Sequence, residues 1–150
     1  MEIVVFEAAH AAAFQALNEA WIGRYFTLEE KDREVLDDPQ GQIIAKGGHI
    51  FMALHDGEPV GCVALLKMTD GGYEVAKMTV SESLRGAGLG RRLMQHCIDA
   101  GAALGATRLY LETNSGLAPA LGLYRAMGFR DLAPTETAYV RADVFMERPY

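Results

Sequence analysis

The run Lys77-Met78-Thr79-Val80-Ser81-Glu82-Ser83-Leu84-Arg85-Gly86-Ala87-Gly88-Leu89-Gly90-Arg91-Arg92-Leu93-Met94 constrains this chain most, because three glycines at alternate positions join a strand-like segment to a strongly amphipathic helix. Glycine at such a junction removes the Cβ atoms that would hold a backbone away from a ligand. The successive N–H groups of the turn, added to the unpaired N–H groups of the first helical turn, make a concave, electropositive cradle for phosphate. Spacing excludes two common cradles. Counting G-x-G-x-x-G from Gly86 and Gly88 puts the last glycine at Arg91, and Gly90 is followed by Arg91-Arg92 where a Walker loop needs Lys and then Ser or Thr.

Around this junction the chain alternates between two periodicities. Glu2 to Phe6 reads as a strand, and Ala8 to Tyr25 carries Phe14, Leu17, Trp21 and Ile22 at helical spacings. Thr27 followed by Glu30 forms a capping-box pattern, opening a second helix with Leu28, Val35 and Leu36 that stops before Pro39. His49 to His55, Val60 to Met68 and Tyr73 to Val80 read as strands of an antiparallel meander, joined at Asp56-Gly57 and Asp70-Gly71-Gly72. After the glycine turn, Leu89, Leu93, Cys97, Gly101 and Leu104 line one helix face, and Gly105 ends it. Thr107 to Thr113 then reads as a strand, Leu117 to Met127 as a helix with Pro119 in its first turn, and Ala138 to Met146 as the last strand. This order predicts a mixed three-layer α/β domain spanning residues 1–150 without internal boundary.

Two of these segments carry a resemblance to a known family. Arg85-x-x-Gly88-x-Gly90 resembles the R/Q-x-x-G-x-G/A signature of the GNAT superfamily of acetyl-CoA-dependent N-acetyltransferases, and Ala120-Leu121-Gly122-Leu123-Tyr124-Arg125-Ala126-Met127-Gly128-Phe129 looks like that family's A-x-x-L-Y-x-x-x-G-F helix. The resemblance covers roughly residues 48 to 130. It implies a mostly antiparallel mixed sheet with helices on both faces, splayed between the strand of Glu74 and the strand of Glu112, with the pantetheine arm of CoA in the wedge. Arg85, Gly86, Ala87, Gly88, Leu89, Gly90 and Arg91 would bind the pyrophosphate of acetyl-CoA, and the strand around Met78, Thr79 and Val80 would give a backbone donor to the thioester oxygen. Tyr124 maps onto the tyrosine that protonates the leaving thiolate. Glu74 stands six residues before Val80, where family members with a strand glutamate base carry it. Many members have Asn seven residues before the helix tyrosine. Here that position is Leu117, while Asn114 reads as a local cap, with contact to the pantetheine arm as the alternative.

The chemistry implied is demanding in a definable way. A lysine-like amine of pKa ~10.4 must shed about 3 pK units' worth of protonation at neutral pH, roughly 4 to 5 kcal/mol, and a nearby carboxylate can take that proton. A positioned phenol can serve the departing sulfur. The resemblance therefore implies acetyl transfer from acetyl-CoA to a primary amine of a small molecule or peptide. The alternative is a non-catalytic CoA-binding module, which needs the cradle but neither Glu74 nor Tyr124.

A net charge of -6 argues against nucleic-acid affinity, since the local basic cluster is only Arg91-Arg92 with Arg85 nearby. No apolar run approaches a membrane span, so the sequence predicts a soluble, cytoplasmic protein without membrane partner; whether it forms a homodimer is left open. Cys62 and Cys97 read as buried hydrophobes, and His10, His49, His55 and His96 show no paired metal spacing. Glu29, Glu30 and Asp32 open the second helix, in a region that in the family lies over the acceptor site; they read as complements to the helix dipole.

Overall fold

The computed structural model describes residues 1–150. Four strands in sequence, β1 (Glu2–Val5), β2 (His49–His55), β3 (Glu58–Lys67) and β4 (Tyr73–Val80), pair antiparallel with their neighbours. Beyond β4 lie β5 (Arg108–Thr113), then β7 (Val144–Pro149) and β6 (Arg130–Leu132), giving a seven-stranded sheet of order β1-β2-β3-β4-β5-β7-β6. Only β4 and β5 run parallel, and the crossover between them contains α3 (Leu89–Ala103). The other helices are α1 (Ala11–Tyr25), α2 (Glu30–Asp37) and α4 (Ala118–Ala126).

Period-two alternation sends successive side chains of the meander to opposite faces. Ile50, Met52, Cys62 and Ala64 bury against Phe14, Val35 and Leu36 of the α1–α2 layer. Phe51, Ala53, Val63 and Leu65 bury with Leu93, Met94, Cys97 and Leu121 from α3 and α4. Both faces of the sheet are thus covered, which is why the strands read as near-continuous apolar runs. No helix of the chain is long and apolar enough to cross a membrane.

Four local expectations change. The second helix begins at Glu30 and not at Thr27: Glu29 is its N-cap, and the Glu29 N–H donates to the Asp32 carboxylate at 2.9 Å. A five-residue π turn, Gln40–Ile44, follows Pro39 where no element was expected. The last strand starts at Val144, not Ala138, because the N–H groups of Val140 and Arg141 donate to the Glu29 carboxylate at 2.9 and 3.4 Å and so are lost to a strand ladder. The short β6 that precedes this connection, paired to β7 through Arg130↔Glu147, was not expected.

Candidate active site

The glycine turn has the backbone that its composition requires. Gly86 and Gly88 sit at φ 84° and 80°, a left-handed region that other residues enter at a cost, and Gly88 caps α3. A Cβ at either would meet nothing of the protein within 4 Å, so the outer face of the turn is open to a ligand. A Cβ at Gly90 would make an ordinary 3.7 Å contact with Leu123. The Ala87 N–H donates to the Leu84 carbonyl at 3.2 Å, and the α3 ladder starts with Arg92 N–H to the Gly88 carbonyl. The N–H groups of Leu89, Gly90 and Arg91 belong to the first helical turn and have no intrahelical acceptor. The Leu89 side chain is buried in the core and anchors the turn from beneath. The turn therefore fits a pyrophosphate by backbone donors, although the Arg85 guanidinium points elsewhere, onto the hydroxyl and the ring of Tyr25.

Between β4 and β5 the sheet opens. Their register contains only Tyr73↔Leu109 and Glu74↔Tyr110, after which the facing edges have no ladder partner. A cavity of about 570 Å³ occupies the gap and extends under α1 and α2; Glu74, Met78, Asn114 and Tyr124 all line it. Thr79, Val80 and Arg85 border instead a second cavity of about 400 Å³ beside α1, and the Thr79 hydroxyl donates to the Leu17 carbonyl at 3.4 Å. The expected site residues are thus divided among the wedge, this second cavity and the glycine turn.

Strand β4 is bulged at the wedge. Cys62 pairs with Thr79 and Ala64 with Ala76, so Lys77 and Met78 together oppose Val63, with Lys77 at φ 54°. The bulge keeps Met78 packed on the α3 side while Lys77 points to the α2 side.

Glu74 lies among buried groups and accepts no hydrogen bond from the chain. Burial, then repulsion from the Glu112 carboxylate, push it up to about 7, against a weaker pull from Lys77. Glu112 itself is bonded by the Tyr110 hydroxyl at 2.9 Å and the Thr137 hydroxyl at 2.5 Å. Tyr124 packs beside Phe129 with ring centroids 6.1 Å apart, and burial pushes its phenol up to about 12. The Asn114 amide donates to the Arg141 carbonyl at 2.7 Å, and its oxygen accepts from the Gly116 N–H at 2.8 Å. Asn114 thus closes an Asx turn and ties two loops, while Leu117 occupies the N-cap of α4.

Sequence reasoning missed the cluster opposite Glu74. Asp32, read as a complement to the helix dipole, is instead completely buried and bonded to Lys77 at 2.8 Å and to both sides of the Arg141 guanidinium at 2.6 and 2.7 Å. These bonds, with the backbone N–H of Glu29, hold Asp32 down at about 2 against the cost of its burial. Tyr139 completes the cluster: its hydroxyl accepts from Lys77 at 3.1 Å, and its ring lies 4.7 Å from that ammonium and 4.5 Å from the guanidinium. The available signal was an Asp at the third position of a helix whose first turn already carried Glu30.

The chain and its fold have known relatives. Residues 11–129 match the family model described as Acetyltransferase (GNAT) family. Over 95 residues the chain is 41% identical to an IAA acetyltransferase of Azospirillum brasilense, a match covering 62% of each chain, so it spans somewhat under two thirds of that relative. A GNAT-family acetyltransferase from Staphylococcus aureus superposes with a TM-score of 0.89 at 17% identity, covering 99% of this chain and 98% of that one. The protein yncA from Salmonella typhimurium, solved with its cofactor acetyl-CoA, superposes with a TM-score of 0.78 at 20% identity, covering 99% of this chain and 93% of that one. The chain belongs to the acetyltransferase (GNAT) family.

Proposed function

We propose that residues 1–150 form one acetyltransferase domain that moves acetyl from acetyl-CoA directly to a primary amine of a small molecule or peptide. The observation that carries this reading is the pair of groups facing one cavity in the splayed sheet: a carboxyl held near neutrality, Glu74, and a phenol held protonated, Tyr124. A module that only bound CoA would have no use for either. Membership in the family and the acetyl-CoA in the Salmonella neighbour support the choice of co-substrate.

In this reading the turn from Arg85 to Arg91 holds pyrophosphate through backbone N–H groups, and the unpaired edge of β4 near Met78 offers a backbone donor to a carbonyl oxygen. Acetyl-CoA, when bound, supplies a thioester carbonyl as electrophile. Glu74 takes a proton from the ammonium of the acceptor, and its position near 7 suits a base working at neutral pH. Tyr124 keeps a proton at its hydroxyl for the sulfur. Neither cysteine serves as an acyl carrier: Cys62 and Cys97 are completely buried, and burial pushes both thiols up to about 12.

The test is an acetyl-CoA turnover screen, read as free-thiol release, over polyamines, amino acids, aminoglycosides and peptide N-termini. Amine-dependent release with an N-acetylated product is expected. Stoichiometric acetyl-CoA binding by calorimetry with no turnover on any class would favour the CoA-binding module.

A further inference from the structure

A carboxylate that must accept a proton is disabled by a cation paired to it, because the pair holds it ionised and weakly basic. Glu74 has such a cation three residues along its own strand: the bulge turns Lys77 toward the same side of the sheet, where both line one cavity. Yet Glu74 accepts no bond from it. Lys77 reaches away to Asp32, which lies on α2, 45 positions earlier in the chain, and to Tyr139. Asp32 gathers four hydrogen bonds, from Lys77, from Arg141 twice and from the Glu29 N–H, while fully buried.

The other groups around the cavity leave Lys77 as the cation that decides the state of Glu74. Arg141, from the connection between β6 and β7, is held by Asp32 and by Glu29 at 3.3 Å. Lys31 of α2 lies beside Glu34, and Lys46 donates to Gln42. On β5, Glu112 is bonded by Tyr110 and Thr137. Glu136 is exposed, and burial raises the phenols of Tyr110, Tyr124 and Tyr139, keeping them protonated.

We propose that Asp32 is a positioning residue for the transfer reaction: it withdraws the Lys77 ammonium from Glu74 and pins Arg141 beside it, leaving the Glu74 carboxylate unpaired for the proton of the acceptor. This rests on the reading of Glu74 as base given above. It also accounts for the strained φ of Lys77, since the bulge lets the lysine meet a partner on α2.

The experiment is a carbon-13 carboxyl NMR titration of Glu74, assigned by its loss in Glu74→Gln. It needs no turnover, so its failure is distinct from failure of the amine screen. The parent should titrate near 7. In Asp32→Asn the freed ammonium should lower the midpoint by about 1 pH unit or more, and Asp32→Asn/Lys77→Met should restore it to within about half a unit. The acid limb of kcat/KM should move with it. Lys77→Met alone, in which Asp32 keeps Arg141, should shift the midpoint by less than about half a unit. An unmoved midpoint in folded Asp32→Asn overturns the proposal, as does a parent midpoint in the ordinary carboxylate range. A rise of about 1 unit or more in Lys77→Met also overturns it, and decides the matter where Asp32→Asn does not fold.

Discussion

Replacing Glu74 by Gln should stabilise the protein at high pH while impairing its chemistry, an unusual pairing of effects. Moving a carboxyl from its usual 4.5 up to about 7 means that the folded chain holds the proton more tightly than the unfolded chain does. Stability therefore falls as pH rises between those two values, by about 3 kcal/mol in all, and stays lowered above 7. Glutamine carries no charge to desolvate and none for Glu112 to repel. The variant should match the parent near pH 4.5 and exceed it by about 3 kcal/mol at pH 8, the attraction to Lys77 being already contained in the value of about 7, or roughly 6 to 12 °C in Tm for a domain of this size. Paired thermal melts from pH 4.5 to 8.5 give the difference curve directly. In the same variant the acid limb of kcat/KM should disappear, and the loss of rate should shrink as rising pH deprotonates the amine unaided. A Tm difference that is flat with pH would refute the reasoning, because Glu74 would then titrate like a solvated surface glutamate and could not be a base tuned by burial.

Three further outcomes follow from the same geometry. Gly90→Val should weaken acetyl-CoA binding sharply with less than about 1 kcal/mol lost in stability, since its Cβ meets only Leu123, whereas Gly88→Val adds the cost of about 1 to 2 kcal/mol of a left-handed backbone; calorimetry and melts separate the two, and unchanged affinity in both would sink the cradle. Tyr124→Phe should keep acetyl-CoA affinity but lower kcat by ~10²- to 10⁴-fold, and a parent-like kcat on the true acceptor would make the phenol a packing residue beside Phe129. Cys62→Ala and Cys97→Ala should each retain transfer with about 1 kcal/mol of lost stability, and an acetylated cysteine found by mass spectrometry on the turnover pathway would contradict direct transfer.

The parts of this protein written in its sequence are those that depend on near neighbours in the chain. Gly86 and Gly88 announce a left-handed turn because only glycine adopts one freely, and the spacing of Leu89, Leu93 and Cys97 fixes which face of α3 is buried. Alternation along His49–His55 and the turn at Asp56-Gly57 place the meander, and with it the strand that carries Glu74. The last strand was misplaced because Val140 and Arg141 fit a strand pattern, while their N–H groups and the Arg141 guanidinium answer to Glu29 and Asp32 more than a hundred positions away. What the tertiary structure alone decided is the electrostatic state of the site. Asp32, Lys77 and Arg141 come together from α2, a bulge of β4 and the connection before β7, and Glu74 meets Glu112 only across the opening between β4 and β5. A charge is raised or lowered by what surrounds it in space and by how little water remains, and neither quantity has a local signature in the chain.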